Sequence, residues 1–343
     1  MIHTVKELAG LYGISGRETA VRRYVTEALK DAPAVRDIHV DRMGNVIVEM
    51  NGVKKAPHRL MIAAHLDEVG GIVTDITEDG YLRFSTIGIL PDVLFARRVV
   101  VNGHIGVIGG KAVHQCKGDE KTSVPAINAM CIDIGAANRA EAEMVVRIGD
   151  AVCFSEGVTE LRNGRFVEKA LDDRAGCAML LKLAQTQPQY DVTLVFTVQE
   201  EAGVRGAMCA TYAVKPEIAV AVDATTAGDI ADVSSDKQVC RMGDGPVVSF
   251  MDRGTIYDKA LFDEIFRLAE KNGIPAQVKR AVTGGNDSRA MQTTGEGARV
   301  AAVSLPCRYL HSATCMLDEQ DILNQYQLLE VLMNELPAWD GAL

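Results

Sequence analysis

Hydrophobic positions in this chain recur with two different rhythms, and the change from one to the other divides it. Val21, Tyr24, Val25, Ala28 and Leu29 follow at the three- and four-residue spacing of an amphipathic helix. Ser15 and Glu18 stand in the S-x-x-E arrangement of a capping box, which predicts that this helix starts at Ser15. Asn45 to Met50 reads as a strand. Arg59 to Ala64 reads as another, nearly all apolar, as a strand covered on both faces should be. From about Gly71 to Arg165 the segments become short and alternating, as in Gly80-Tyr81-Leu82-Arg83-Phe84, Arg98 to Val101 and Gly106 to Gly110. Turn signals such as Glu78-Asp79-Gly80 separate them. This block predicts a small antiparallel β-domain or barrel with one short helix at most, near Ala140. After Lys169 the longer rhythm returns. It predicts a helix over Arg174 to Ala184, strands at Val192 to Val198 and Glu217 to Val222, and a helix over Lys259 to Lys271 stopped before Gly273. A strand at Arg299 to Leu305 and a helix over Gln320 to Leu336, ended by Pro337, complete the series.

Strands alternating with helices imply an α/β fold with a mainly parallel sheet sandwiched by helices. The expected organisation is therefore one α/β domain, residues 1–70 and 166–343, interrupted by an inserted β-rich domain, residues 71–165.

Charge and composition narrow the function. The formal charge of -10 makes the surface acidic, which repels phosphate backbones and argues against nucleic acid as a partner. No apolar run approaches the roughly 20 residues of a membrane span. The opening MIHTVKELAG lacks the basic start and apolar stretch of a signal peptide. The eight cysteines form no C-x-x-C pair, as expected of reduced, buried thiols in a cytoplasmic protein.

Acidic and histidine residues then stand where the apolar strands end, the edge at which open α/β sheets bind ligands. His65-Leu66-Asp67 follows the strand ending at Ala64. Two residues apart on extended chain, His65 and Asp67 point the same way, so Asp67 can accept the second ring N–H of His65 and orient it for a metal. Asp172 and Asp173 precede a helix. Alone, they would do no more than complement its dipole. Glu200 and Glu201 end the strand Val192 to Val198, where charges are costly unless paired or metal-bound. Asp223 follows Ile218-Ala219-Val220-Ala221-Val222, and His311 lies just after the strand that ends at Leu305. Any one of these reads as structural. Together they supply the His, Asp, Glu, Asp and His that two divalent ions need when one carboxylate is shared. Paired ions roughly 3.5–4 Å apart activate water and polarise a carbonyl. A carboxylate that is not a ligand must move the proton, and the Glu200-Glu201 pair offers one of each kind.

In this combination and order the sequence resembles the tetrahedral (TET-type) aminopeptidases, two-metal metallopeptidases that include glutamyl, leucyl, lysyl and deblocking enzymes, some once labelled cellulases. The likeness spans nearly the whole chain and rests on His65-x-Asp67, Asp172-Asp173-Arg174, Glu200-Glu201-x-Gly203, Asp223 and Arg308-Tyr309-x-His311-Ser312. The resemblance implies a two-metal exopeptidase fold with a PDZ-like inserted domain. It implies that Asp172 bridges two ions, zinc or cobalt, that His65 and Asp223 complete one metal site, and that Glu201 and His311 complete the other. Glu200 would be the general base and acid, Asp67 the partner of His65, and the Asp172–Asp173 peptide bond cis. Peptides would be the substrates. The inserted domains would pair chains into dimers that build a tetrahedral homododecamer. The chain departs from the family at Gly284-Gly285-Asn286-Asp287, where Thr is usual in place of Asn286; this bears on specificity.

His114 reads as structural or interfacial, His3, His39, His58 and His104 as surface or structural, and Cys307 and Cys315 as packing. A two-metal carboxypeptidase or amidohydrolase would also carry H-x-D and Glu-Glu, but its extra domain is inserted later than the stretch between Asp67 and Asp172. A glucanase would need two carboxylates flanking a sugar and no metal, which suits the two histidines poorly. A non-catalytic scaffold would not keep the complete set.

Overall fold

In the computed structural model, which describes residues 1–155 and 157–341, the chain opens with helices α1 (Ile2–Gly10) and α2 (Thr19–Leu29). A hairpin of β1 (Val35–Val40) and β2 (Val46–Met50) leads to β3 (Leu60–His65). Six strands then close an antiparallel barrel: β4 (Gly70–Ile76), β5 (Leu82–Ile87), β6 (Arg98–Val101), β7 (His104–Gly110), β8 (Met130–Asp133) and β9 (Ala151–Phe154). Their order around it is β4-β5-β8-β7-β6-β9, and the short helix α3 (Arg139–Glu143) lies where the turn signals allowed one. Closure pairs every strand edge, which answers the edge problem of so small a sheet.

After the barrel come β10 (Thr159–Glu160), β11 (Arg165–Glu168), helix α4 (Leu171–Ala184), β12 (Val192–Thr197), helix α5 (Arg205–Val214) and β13 (Ile218–Thr226). The chain ends with β14 (Val247–Val248), helix α6 (Lys259–Lys271), β15 (Gln277–Val278), helix α7 (Ser288–Thr293), β16 (Arg299–Cys307), β17 (Cys315–Asp318) and helix α8 (Glu319–Glu335). β10 pairs with β11 and β11 with β17, so the chain is already away from the barrel by Thr159 rather than at residue 166.

The large sheet runs β1-β2-β12-β3-β13-β16-β14-β15. Its four central strands, β12, β3, β13 and β16, are parallel, while β2 and β14 flank them antiparallel. Along β3, Leu60, Ile62 and Ala64 enter the core shared with α2, α4, α6 and α8, whereas Met61 and Ala63 enter the opposite core with Ala210 of α5 and Met291 of α7. The period-two alternation thus feeds two apolar layers, and all six residues of β3 are buried. The barrel has a core of its own, built around Val73, Leu82, Phe84, Ile108 and Ile132.

The predicted capping box does not form. α2 begins at Thr19, and its N-cap residue Glu18 makes no side-chain cap. The Ser15 hydroxyl instead donates to Asp67 Oδ2 at 2.6 Å, and the Glu18 carboxylate accepts from the Gly16 and Gln199 amides at 2.6 and 3.2 Å. Both side chains serve tertiary contacts that outcompete local capping.

Candidate active site

The carboxyl ends of the four parallel strands converge on one cluster. His65 is the last residue of β3. β13 runs on to Thr226, so Asp223 lies within it, paired with Ser304 of β16, rather than beyond its end. After β12, Gln199 adopts the left-handed conformation (φ +55°) and turns the chain so that the next two amides face Asp67. Glu200 N–H donates to Asp67 Oδ1 at 2.9 Å and Glu201 N–H to Oδ2 at 3.1 Å. With Ser15 as third donor, Asp67 ties the end of β3 to the end of β12.

His65 Nδ1 lies 3.0 Å from the main-chain oxygen of Asp67 and 3.6 Å from its carboxylate, so the carbonyl is the nearer acceptor. Either way the second nitrogen is directed inward. His65 Nε2 is 3.2 Å from Asp172 Oδ1 and 4.0 Å from Asp223 Oδ1. The other oxygen of Asp172 is 3.5 Å from His311 Nε2, which in turn lies 3.3 Å from Glu201 Oε1. Asp172 therefore stands between two imidazoles, each accompanied by a second carboxylate. His65, Asp172 and Glu201 can each offer one ligand atom, all within 4.8 Å of one another.

Local backbone holds this arrangement. The Asp172–Asp173 peptide bond is cis. Asp173, whose role the sequence left open, accepts from the amides of His65 (3.3 Å) and Gly176 (3.1 Å). A side chain at position 176 would meet Asp173 Oδ2 at 2.4 Å, so only glycine fits there. His311 and Tyr309 both have positive φ, +55° and +60°. Arg308 beside them is clamped by Asp229 through two 2.7 Å bonds.

The cluster is rich in acidic groups. Six carboxyl groups, Asp67, Asp172, Asp173, Glu200, Glu201 and Asp223, face two imidazoles. Burial opposes ionisation of Asp172, but hydrogen bonds from His311 and His65 outweigh it and hold the carboxyl below its usual range. Burial and the Asp172 charge push Asp223 up. Burial, reinforced by the Glu201 charge, does the same to Glu200. Burial and Asp172 push Glu201 up to about 7 even against His311. Burial pulls His311 down, yet Asp172 and Glu201 lift it to about 9. Glu201 Oε1 is buried with no hydrogen-bond partner among the described residues. An orphaned carboxylate oxygen amid excess negative charge fits a site for cations.

These residues line a cleft of about 120 Å³ whose walls include His65, Asp172, Glu200, Asp223, His311 and Lys279. The stretch Gly284 to Asn286 also borders it. The Asn286 side chain, however, is engaged in packing, donating to the Tyr257 hydroxyl at 3.1 Å and accepting from Ser288 N–H at 2.9 Å. Beneath lies a pair that sequence reasoning did not single out: Thr197 donates to buried Asp287 at 2.6 Å. Ser15 was likewise missed as a partner of Asp67, because a hydroxyl carries no signal of a contact 52 residues away. His114 is exposed and outside the cluster, and Cys307 and Cys315 are buried, with thiols near main-chain oxygens of the 308–311 turn.

Residues 44–328 match the family described as M42 glutamyl aminopeptidase. The lysyl aminopeptidase of Pyrococcus furiosus is 34% identical over 348 residues, covering 98% of this chain and 97% of its own. An aminopeptidase from the archaeon Desulfurococcus kamchatkensis superposes with a TM-score of 0.92 at 34% identity, covering 97% of this chain and 94% of its own. The Pyrococcus horikoshii TET1 peptidase, described as assembling into a tetrahedron or a large octahedral shell, gives 0.86 at 33% identity, covering 97% and 99%.

Proposed function

This chain belongs to the M42 glutamyl aminopeptidase family, a family of metal-dependent peptide-bond hydrolases, and from that premise we propose that it removes N-terminal residues from peptides at a two-metal site shared by Asp172. The observation that carries the proposal is the position of Asp172, with one oxygen toward His65 and the other toward His311. In this reading His65 and Asp223 hold one ion, and Glu201 and His311 the other. Zinc and cobalt both suit imidazole and carboxylate donors. Such ions, when bound, supply a nucleophile from water and polarise the scissile carbonyl.

The chain's own residues do the rest. Glu200 lines the cleft with its carboxyl raised by burial, and from there it would take a proton from the attacking water and deliver it to the leaving amine. Asp67 keeps Glu200 and Glu201 in register through their amides and helps orient His65. The cleft is small, about 120 Å³, which suits a chain end better than a continuous strand of substrate.

The inserted segment, about residues 71–165, which holds the barrel, is proposed as the dimerisation unit of a larger homo-oligomer up to a tetrahedral dodecamer, supported by the assemblies described for TET1. All eight cysteines are free thiols, which supports a location in the reducing cytoplasm. One relative is a lysyl enzyme while the family is described as glutamyl, so membership does not set the preferred residue.

The test is turnover of aminoacyl-anilides with added zinc or cobalt, together with a peptide and its N-acetylated twin. Hydrolysis that requires metal and a free amine supports the proposal. Equal rates on the acetylated peptide would point to endopeptidase or deblocking activity instead.

A further inference from the structure

Three lysine and arginine side chains are buried among the described residues, and one of them is treated differently from the others. Lys169 donates to both oxygens of Glu68, at 3.1 and 3.0 Å, and to the Leu11 carbonyl at 2.7 Å. Arg174 donates to four main-chain carbonyls and lies 3.5 Å from Glu68. Lys279 is also buried, though at the wall of a cleft and 4% exposed, and among the described residues it makes one hydrogen bond, to the Thr283 carbonyl at 2.8 Å, and no ion pair. A buried ammonium is costly unless paired, and no carboxylate among the described residues lies within ion-pair distance of this one.

The two carboxylates whose charges act on it do not fill the role of partner. Asp252 is spoken for by the amides of Gly254 and Thr255 and the Tyr257 hydroxyl, at 2.7, 2.8 and 2.5 Å. Asp223 serves a metal under the proposed function. Burial depresses Lys279 below the ordinary lysine range even though both carboxylates oppose the shift, so their charges under-compensate it.

What distinguishes Lys279 is its position. It follows β15 and lines the same cleft as His65, Asp172, Glu200, Asp223 and His311. Gly284 passes beside it, where even a Cβ would come within 3.9 Å of its Nζ. Gly284 has φ +67° and Gly285 has no side chain to obstruct the approach. A substrate whose scissile carbonyl is held at the cluster must place its first side chain against the walls of this cleft.

We propose that Lys279 reads the side chain of the substrate's N-terminal residue and selects a carboxylate, aspartate or glutamate. The inference rests on the aminopeptidase reading above. A carboxylate would give the ammonium the charge-assisted hydrogen bonds this chain does not provide. A neutral side chain would leave it buried and unpaired, and a lysine or arginine would oppose it, so rejection is part of the selection.

The measurement is kcat/KM of the metal-loaded protein on Glu-, Leu- and Lys-anilides, for the wild type, Lys279→Met and Lys279→Glu. Anilides lack a C-terminal carboxylate, so any acid preference among them belongs to the N-terminal side chain. The wild type is expected to prefer Glu. In Lys279→Met the Glu-over-Leu ratio should fall about 10²-fold with metal content retained, the scale for truncating one partner of a buried charge pair. Lys279→Glu should shift the preference toward Lys; if it fails to fold, Lys279→Met decides alone. A wild type that prefers Leu or Lys, or a ratio unchanged in Lys279→Met, would overturn the inference. So would an acid preference confined to dipeptides with a free C-terminus, which would assign Lys279 to that carboxylate. Should no anilide be cut, the aminopeptidase reading fails first, and calorimetry with free L-glutamate and L-leucine still reads the cleft. Tighter glutamate binding that is lost in Lys279→Met supports the inference, and equal affinities overturn it.

Discussion

Glu200 and Glu201 are neighbours to which the proposed function gives different tasks, and their environments differ accordingly. Glu201 has a buried oxygen without a hydrogen bond and faces His311 at 3.3 Å, the position of a ligand. Glu200 faces the cleft with a raised pKa and no histidine within ion-pair distance, the position of a proton carrier. Glu200→Gln should therefore keep its metal and lose about 10²–10⁴-fold in kcat, typical of a positioned acid–base group. Glu201→Gln should lower metal affinity, with turnover partly restored by excess metal. Near-normal kcat for Glu200→Gln at saturating metal would remove it from the mechanism. A separate carboxylate is informative about stability. Glu168 has a buried oxygen with no partner, and burial pushes it up to about 7 against the pull of Lys169. A carboxyl raised in the folded state contributes stability that is fully present below its unfolded value, near 4.3, and is lost as pH rises through about 7. Glu168→Gln should then melt with the wild type at pH 4 and above it at pH 8, by on the order of 1 kcal/mol after screening. A variant less stable than wild type at pH 8 would show that the charged form is paired.

At the scale of elements, the turn from β16 to β17 delivers His311, and Arg308 anchors its start to Asp229. Asp229→Ala should free the turn and weaken metal binding about 10–100-fold, as losses of such supporting contacts do. Titration with zinc followed by activity would show it; an unchanged midpoint would mean that the left-handed residues 309 and 311 hold the turn unaided. The sequence was most legible where an element is decided by its own pattern. The helix over Lys259 to Lys271 matched at both ends because Asp258 caps it through Leu261 N–H and Gly273 can take φ +65°. The parallel strands were legible because both of their faces are buried. α5 was not, since it is flanked by left-handed Val204 and Lys215 and has no side-chain cap to announce it. β1 was missed because as an edge strand it shows a mostly exposed, polar face. The barrel was visible as a texture, but its strand order and closure depend on pairings of distant segments that no local pattern records. Of the cluster, the charged residues at strand ends could be read. Ser15, Asp173 and Lys279 could not, because their roles arise from long-range contacts.

At the scale of the molecule, one chain carries a catalytic layer and a closed barrel that contributes little to the cleft. Several large apolar side chains of the barrel stand in water, including Leu90, Ile105, Val113 and Met144, the last two each 77% exposed. Apolar surface of that kind favours association. Light scattering of the metal-loaded protein should give a mass far above a monomer, falling toward a dimer on chelation, because ions that bind only the folded site stabilise what that site supports. A fully active monomer at micromolar concentration would refute the assembly while leaving the chemistry intact. The proposed chemistry depends on one carboxylate serving two ions. Elemental analysis of the purified chain and of Asp172→Ala addresses that directly. Two divalent ions per wild-type chain, and loss of most of both in Asp172→Ala, are the predicted result; two ions per chain retained in Asp172→Ala would contradict the account.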